Sequence, residues 1–357
     1  MKLKRNSVLK RKLRFYPLLL LLVSTLSTYC QIGGSSAYNF LNIPVSARSS
    51  SLGGSSIGFK DSDINLVYDN PSNLDSSLHN HFSANYTNYI SDVNAGTFYY
   101  ARKFKKGAVG IGMQFLGYGK FEQREANGDL TGEFKSGDYA LNAGYGRSFK
   151  SVFSVGANIK LIYSNYFNYY SVATALDLGA GYKGKKGFFT AGLALRNMGT
   201  SLKKNESEGF ESLPFEINMG ISQRVPNSPF RFHLQYGNLQ KWDLGSNDPN
   251  YKAKTKEDTK TGETTVKKFT LDNFSRHITL GADLVFGKKF FLTVAYNFGR
   301  RTQLAFSQRK SLAGFSGGIG IKIKRFRFNY SYAQYTLGGG SNHIGITTNF
   351  GEFFRKI

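Results

Sequence analysis

From about residue 79 to the C-terminus, apolar and polar residues alternate with a period of two, and no other feature constrains the fold as strongly. Ile278, Leu280, Ala282, Leu284 and Phe286 alternate with Thr279, Gly281, Asp283 and Val285. Phe326, Phe328, Tyr330 and Tyr332 alternate with Arg327, Asn329 and Ser331. Such alternation puts one residue class on each face of a sheet. It predicts strands near 80–91, 94–103, 107–122, 136–149, 152–167, 171–184, 187–199, 214–225, 229–240, 275–287, 289–301, 312–324, 325–337 and 341–351, fourteen in all.

The connections sort by parity. Those after even-numbered strands are tight: Phe104-Lys105-Lys106, Lys150-Ser151, Lys185-Lys186, Pro226-Asn227-Ser228, Lys288 and Lys324-Arg325. Those after odd-numbered strands are often long: 123–135, 200–213, 241–274 and 302–311. An even strand number with short turns at one end and long loops at the other is the layout of an outer-membrane β-barrel. A soluble sandwich has no reason to sort its loops this way. The fold class expected is therefore all-β: a 14-stranded antiparallel transmembrane barrel over 79–357, in the outer membrane of a Gram-negative bacterium.

Composition fits a barrel wall. Among 357 residues there are 40 Gly, 31 Phe and 22 Tyr. Tyr145, Tyr163, Tyr182, Phe298, Tyr332 and Phe350 fall near strand ends, where aromatic girdles are expected. Alternation turns Lys160, Asp177, Glu216, Asp283, Lys322, Lys324 and Arg327 inward, a set of both signs that suits a polar lumen with cross-strand ion pairs. Beyond the N-terminus no apolar run approaches the ~18–20 residues of a spanning helix.

Residues 1–30 read as a secretory signal peptide: seven cations by Arg14, a short apolar core from Phe15 to Val23, then small residues up to Cys30. Cleavage after Cys30 would remove the one cysteine, and with it any disulfide or thiolate site. Cys30 as a lipidated first residue is the alternative, opposed by the bulky Tyr29 before it. The full chain carries a formal charge of +24; loss of those seven cations leaves 40 Lys and Arg against 23 acids, or +17. The cations are spread rather than gathered on one face, which excludes a nucleic-acid partner. Lipopolysaccharide or acidic partners are the two explanations left for the charge.

Enzyme-like patterns lack their context. Gly54-Ser55-Ser56-Ile57-Gly58 fits G-x-S-x-G without the strand and helix that motif needs. Ser83-Ala84-Asn85, Lys260-Thr261-Gly262 and Ser307-Gln308-Arg309-Lys310 resemble penicillin-binding-protein elements in the wrong order. His79 and His81 offer two metal ligands where structural zinc needs four. Asp61, Asp63 and Asp69 lack EF-hand spacing. No catalytic, metal or cofactor site is expected.

Residues 31–78 do not alternate. Phe40-Leu41-Asn42-Ile43-Pro44-Val45-Ser46-Ala47-Arg48, Leu52-Gly53-Gly54 and Asp69-Asn70-Pro71 read as short helical pieces and turns. This segment precedes the barrel and is expected to form a periplasmic plug, with Arg48, Gly53, Gly54, Asp63, Asn70 and Pro71 as its motif. These elements, with Leu213-Pro214-Phe215-Glu216, Asn238-Leu239-Gln240-x-Trp242-Asp243, Arg276-His277 and Phe326-Arg327-Phe328-x-Tyr330, resemble the PorQ family of the type IX secretion system of Bacteroidota over nearly the whole mature chain. The resemblance implies a non-enzymatic barrel that anchors the complex attaching secreted cargo to the cell surface, with a PorZ-like surface protein, the sortase-like PorU and the shuttle barrel PorV as partners. The external loop 241–274 is the expected partner surface, centred on Trp242, Asp243, Asp248 and Tyr251. Trp242 suits either a binding hot spot or an interfacial anchor at the rim. The alternative function is a channel for hydrophobic solutes of the fatty-acid-transporter type, which needs an apolar pocket leading to a lateral opening in the wall.

Overall fold

The alternating segments pair in sequence order, and the last pairs with the first, so the sheet closes into a fourteen-stranded antiparallel barrel. The computed structural model describes residues 37–203, 210–244, 255–257, 264–266, 270–287, 289–304, 312–335 and 339–354. The wall consists of β1 His81–Asn88, β2 Asn94–Phe104, β3 Gly107–Arg124, β4 Leu130–Phe149, β5 Phe153–Tyr166, β6 Tyr169–Lys183, β7 Phe189–Ser201, β8 Glu216–Arg224 and β9 Phe230–Tyr236. It continues, after the small separate ladder of β10 Thr255–Glu257 and β11 Thr264–Val266, with β12 Ile278–Phe286, β13 Phe290–Asn297, β14 Phe315–Ile323, β15 Phe326–Gln334 and β16 Gly340–Asn349. The closing ladder runs from His81 opposite Asn349 to Asn88 opposite Asn342. Closure gives every wall strand a neighbour on both sides.

Each strand separates two environments. On β5, Ser154, Asn158, Lys160, Ile162 and Ser164 are buried toward the lumen while Val155, Ile159, Leu161 and Tyr163 are exposed outward. Exposed apolar side chains continue around the wall, from Ile111 and Leu141 to Val294, Ile321 and Ile344. An outward apolar band over a polar interior is what a barrel crossing lipid requires.

Several predicted boundaries differ from the structure. The expected loop 123–135 is mostly ladder: Phe121 faces Phe134 and Glu122 faces Glu133, leaving only 125–129 as a turn. Phe134 stacks between Phe121 and Phe167, at 5.2 and 4.6 Å, which gives this projecting hairpin an apolar side. The strand expected over 289–301 ends at Asn297, whose side chain caps the helix Phe298–Leu304 by accepting from Arg300 N at 2.8 Å. The 241–274 loop holds the β10 and β11 ladder and ends in the helix Leu271–Arg276. Lys324 belongs to the β14–β15 turn, with φ 52°, and not to the lumen wall.

Residues 37–78, the segment expected to form a plug, run through the barrel interior. Ala37 N donates to Ser212 O at the long-loop end, and Asp75 accepts from Ser148 Oγ at the short-turn end. Wall and plug approach backbone to backbone at Gly192, where a Cβ would collide with the Ile57 carbonyl oxygen. Gly192→Val is expected to push the plug off the wall while leaving the strand ladders paired. The check is limited trypsinolysis of the folded protein, with new cleavage after Lys60 and unchanged β-sheet circular dichroism.

Candidate functional site

The plug is built from turns too short to satisfy their own backbone. Ser46 caps the helix Ala47–Ser51, Asp63 caps Ile64–Val67, Asn70 caps Pro71–Asn73 with Pro71 at its first position, and Asp75 caps Ser76–Leu78. Each cap accepts a backbone N–H that a short helix leaves free. Gly53 and Gly54, at φ 89° and 102°, take the left-handed turn that ends the first helix. The Gly53 carbonyl accepts from Asn297 Nδ2 at 3.0 Å and Arg300 Nη2 at 3.4 Å, tying that turn to the wall.

Below Ser46 the plug is held by ion pairs. Arg48 donates to Asp283 on β12 at 2.9 Å and to Thr293 on β13 at 2.7 Å, and its guanidinium lies 4.3 Å from the Phe291 ring centroid. Asp283, fully buried, also receives Arg231 of β9 at 2.6 Å, and Arg231 reaches Asp61 at 2.7 Å. The chain Arg48, Asp283, Arg231, Asp61 therefore alternates in sign and joins plug to wall twice. A second set surrounds a bulge in β7, where Arg196 and Asn197 together oppose Asp177 of β6. Lys160 pairs with Asp177 at 2.7 Å, and Arg196 lies 3.6 Å from Glu216 and 3.9 Å from Asp69. Asp69 accepts in turn from Ser49 Oγ and Ser56 Oγ, at 2.6 and 2.5 Å. Lys60 pairs with Asp75 at 3.1 Å and donates to Ser72 O at 2.5 Å. Asp63 lies 3.7 Å from Arg327, and Asn70 donates to Ala180 O at 3.2 Å.

Above Ser46 the plug carries no charge, and the lumen changes character. Tyr38, Phe40 and Leu41 pack in an apolar compartment formed by inward-facing Ala95, Leu116, Ala140, Ile162, Ala173 and Ala175, with Leu213. This part is held to the wall by few polar contacts, among them Gln114 Nε2 to Phe40 O at 2.9 Å, Arg196 Nη2 to Leu41 O at 3.2 Å and the Tyr38–Ser171 hydroxyl pair. Beside the compartment the wall is interrupted. The β7–β8 ladder ends at Arg196 opposite Glu216, and contact resumes only at the bridge from Thr200 to Ser212. Leu213-Pro214-Phe215 fills the interval, with Asn197 Nδ2 donating to Pro214 O at 3.1 Å.

All six plug residues singled out from the sequence lie in the lumen. Arg48, Gly53, Asp63 and Asn70 touch the wall directly, Gly54 makes the turn, and Pro71 starts a helix. Of the loop residues, Trp242 and Asp243 lie among the described residues. Trp242 stacks on His277, itself stacked on Tyr236, and its carbonyl accepts from Asn273 Nδ2 at 2.6 Å and from the His277 ring at 3.1 Å. That anchors Trp242 at the barrel rim with two-fifths of its surface exposed. Asp243 follows it, partly buried; Asp248 and Tyr251 lie outside the described residues. Arg196 and Arg231, absent from the inward set read from the sequence, prove central. Arg231 lies next to the strand-start Phe230, where alternation gives little warning.

No family model and no curated protein matches this chain. Among solved structures it is similar to the Pseudomonas putida toluene transporter TodX, with a TM-score of 0.50 and 12% identity over 85% of this chain and 96% of that one. The Ralstonia pickettii toluene transporter TbuX gives 0.49 and 12%, over 86% and 98%. A Pseudomonas aeruginosa FadL homologue gives 0.47 and 11%, over 86% and 98%. The chain shares the outer-membrane barrel fold of TodX. At such identity the likeness extends to architecture alone.

Two outcomes follow. Removing one member of a buried ion pair costs about 3–5 kcal/mol, but Arg48→Met leaves Asp283 with Arg231. Asp283→Asn leaves two guanidinium groups facing each other, so its urea unfolding midpoint should fall further than that of Arg48→Met. The second concerns acid. Burial alone would raise the Asp75 carboxyl, but Lys60 and the Ser77 donors outweigh it and hold it below the ordinary range; Arg231 and Arg48 hold the Asp61 carboxyl below its ordinary range as well. Both are depressed in the folded protein, so their contribution is complete above the unfolded value of about 4 and lost as pH falls through the folded values. Stability should be level from pH 7 to about 5 and drop below about 4, and Asp75→Asn should make that drop shallower.

Proposed function

We propose that this barrel admits small hydrophobic solutes from the long-loop end, with the compartment around Phe40 and Leu41 as the entry site. The carrying observation is that compartment: an apolar cluster in the one stretch of the plug without charged residues, 37–45, next to the only interval along the described β7–β8 seam without ladder pairing. Polar solutes gain nothing there, whereas an aromatic or aliphatic solute exchanges water for alanine, leucine and isoleucine side chains, at roughly 25 cal/mol per Å² buried. The uncharged stretch 37–45 gives way to the solute while the ion-paired part from Arg48 onward stays closed. Leu213-Pro214-Phe215 stands where a lateral exit into lipid would open. The shared architecture with TodX, a toluene transporter by its own description, supports this direction. No step of it needs a catalytic residue.

A second role rests on the same plug seen from below. Ion pairs at Arg48, Lys60 and Arg196 favour a permanently filled barrel, as suits a membrane anchor, and the PorQ-like sequence elements favour the type IX attachment complex, with PorZ-like, PorU and PorV partners. Reconstitution separates the two. Vesicles holding the purified protein should take up labelled toluene or a long-chain fatty acid faster than protein-free vesicles, and Ala140→Trp, which fills the compartment, should reduce the difference at least several-fold. Uptake equal to that of protein-free vesicles, together with co-isolation of other outer-membrane chains in mild detergent, would overturn the transport role in favour of the anchor.

A further inference from the structure

On the outer face of the wall, the apolar band is broken by a groove of about 510 Å³ across β5 to β9. That size lies within the range of small-molecule sites. It forms where small outward side chains sit among large ones. Ala180 pairs with Leu193 and Ala191 with Ile221, with Met219 and Leu234 in the next positions of the same rows. The wall strands at this place are the ones whose glycines lie against the plug, at Gly192 beside Ile57 and Gly220 beside Gly58. Toward the short-turn end the groove finishes at the Phe153 and Tyr182 rings, 5.2 Å apart, with Phe189 6.2 Å from Tyr182.

Just past those rings come the β4–β5 and β6–β7 turns, joined by Lys183 N donating to Val152 O at 2.7 Å. They carry Lys150, Lys185 and Lys186, all exposed and without an ion pair among the described residues. The carboxylate nearest this end of the plug, Asp75, is held by Lys60 and Ser148. An apolar slot on a lipid-facing wall, an aromatic mouth and unneutralised ammonium groups beyond it match the three zones of one phospholipid.

We propose that this groove is a binding site for an anionic phospholipid of the leaflet at the short-turn end, with an acyl chain between Ala180, Ala191 and Leu193 and the phosphate among Lys150, Lys185 and Lys186. Cations also occur in other short turns, at Lys105-Lys106, Lys289 and Lys324-Arg325; at Lys150, Lys185 and Lys186 they adjoin a groove. The site depends on the wall lying in lipid and is independent of what the lumen passes.

Native mass spectrometry of the full-length protein, released from mild detergent containing equal phosphatidylglycerol and phosphatidylcholine, tests it. Each cation near an anionic surface contributes about fivefold, so phosphatidylglycerol should be retained about tenfold or more over phosphatidylcholine. Lys150→Gln/Lys185→Gln/Lys186→Gln should bring that ratio close to one. Ala191→Phe should lower retention of both lipids, while Ala143→Phe, on the outward face of β4 and away from the groove, should not; unchanged heat-modifiable gel mobility confirms that each variant is folded. Equal retention of the two lipids by the unaltered protein, an unchanged ratio in the triple variant, or a second copy of the chain bound in place of lipid would each overturn the proposal.

Discussion

A single carboxylate, Asp283, held between Arg48 of the plug and Arg231 of the wall, is the interaction on which the closed lumen depends. A fourteen-stranded ring is wider than wall side chains alone can fill, so something must occupy it. Here the filler is the chain's own N-terminal segment, made of one-turn helices and loops rich in unsatisfied backbone groups. Burying such a segment is tolerable only where each polar group finds a partner. The lumen supplies many of these partners as Asn, Gln, Ser and Arg side chains on the inward face, and supplies charge where the plug has charge. Taking Asp283 away would leave Arg48 without a counter-charge and Arg231 with Asp61 alone, which is why one acid on β12 matters more than any single apolar contact.

The wall was legible in the sequence because its physics is periodic. A side chain every second residue must face either lipid or lumen, so fourteen strands, their closure and the inward position of Lys160, Asp177 and Asp283 could all be read from alternation. What alternation cannot report is which inward residues meet. Arg48 and Asp283 are separated by more than two hundred positions, and their pairing exists only because the plug threads the ring. The projecting β3–β4 hairpin was missed because its Lys, Glu, Gln and Arg residues look like loop, although cross-strand pairs such as Phe121 with Phe134 stabilise the ladder well beyond the apolar band. The premature end of β13 at Asn297 was hidden for the opposite reason: Phe298 continues the apolar rhythm, yet the side chain of Asn297 caps a helix. Trp242 read equally as a hot spot or an anchor, and alternation could not show its stack on His277, itself stacked on Tyr236.

The plug divides into two parts by chemistry. From Arg48 to Asp75 it is fastened by ion pairs of alternating sign; from Tyr38 to Val45 it carries no charge of its own, packs against alanine side chains and meets one charged group, Arg196, through the Leu41 carbonyl. Buried ion pairs contribute little net stability compared with apolar packing, but they are costly to break singly. They therefore fix position more than they add strength. In the proposed transport role, the segment fixed in this way stays put while its uncharged neighbour exchanges with an apolar guest.

Electrical recording tests that division most directly. In a planar bilayer the purified protein should show no steady ion conductance, and Asp283→Asn, by releasing the lower plug, should produce one. A steady open-pore current from the unaltered protein would contradict a lumen sealed by residues 37–78.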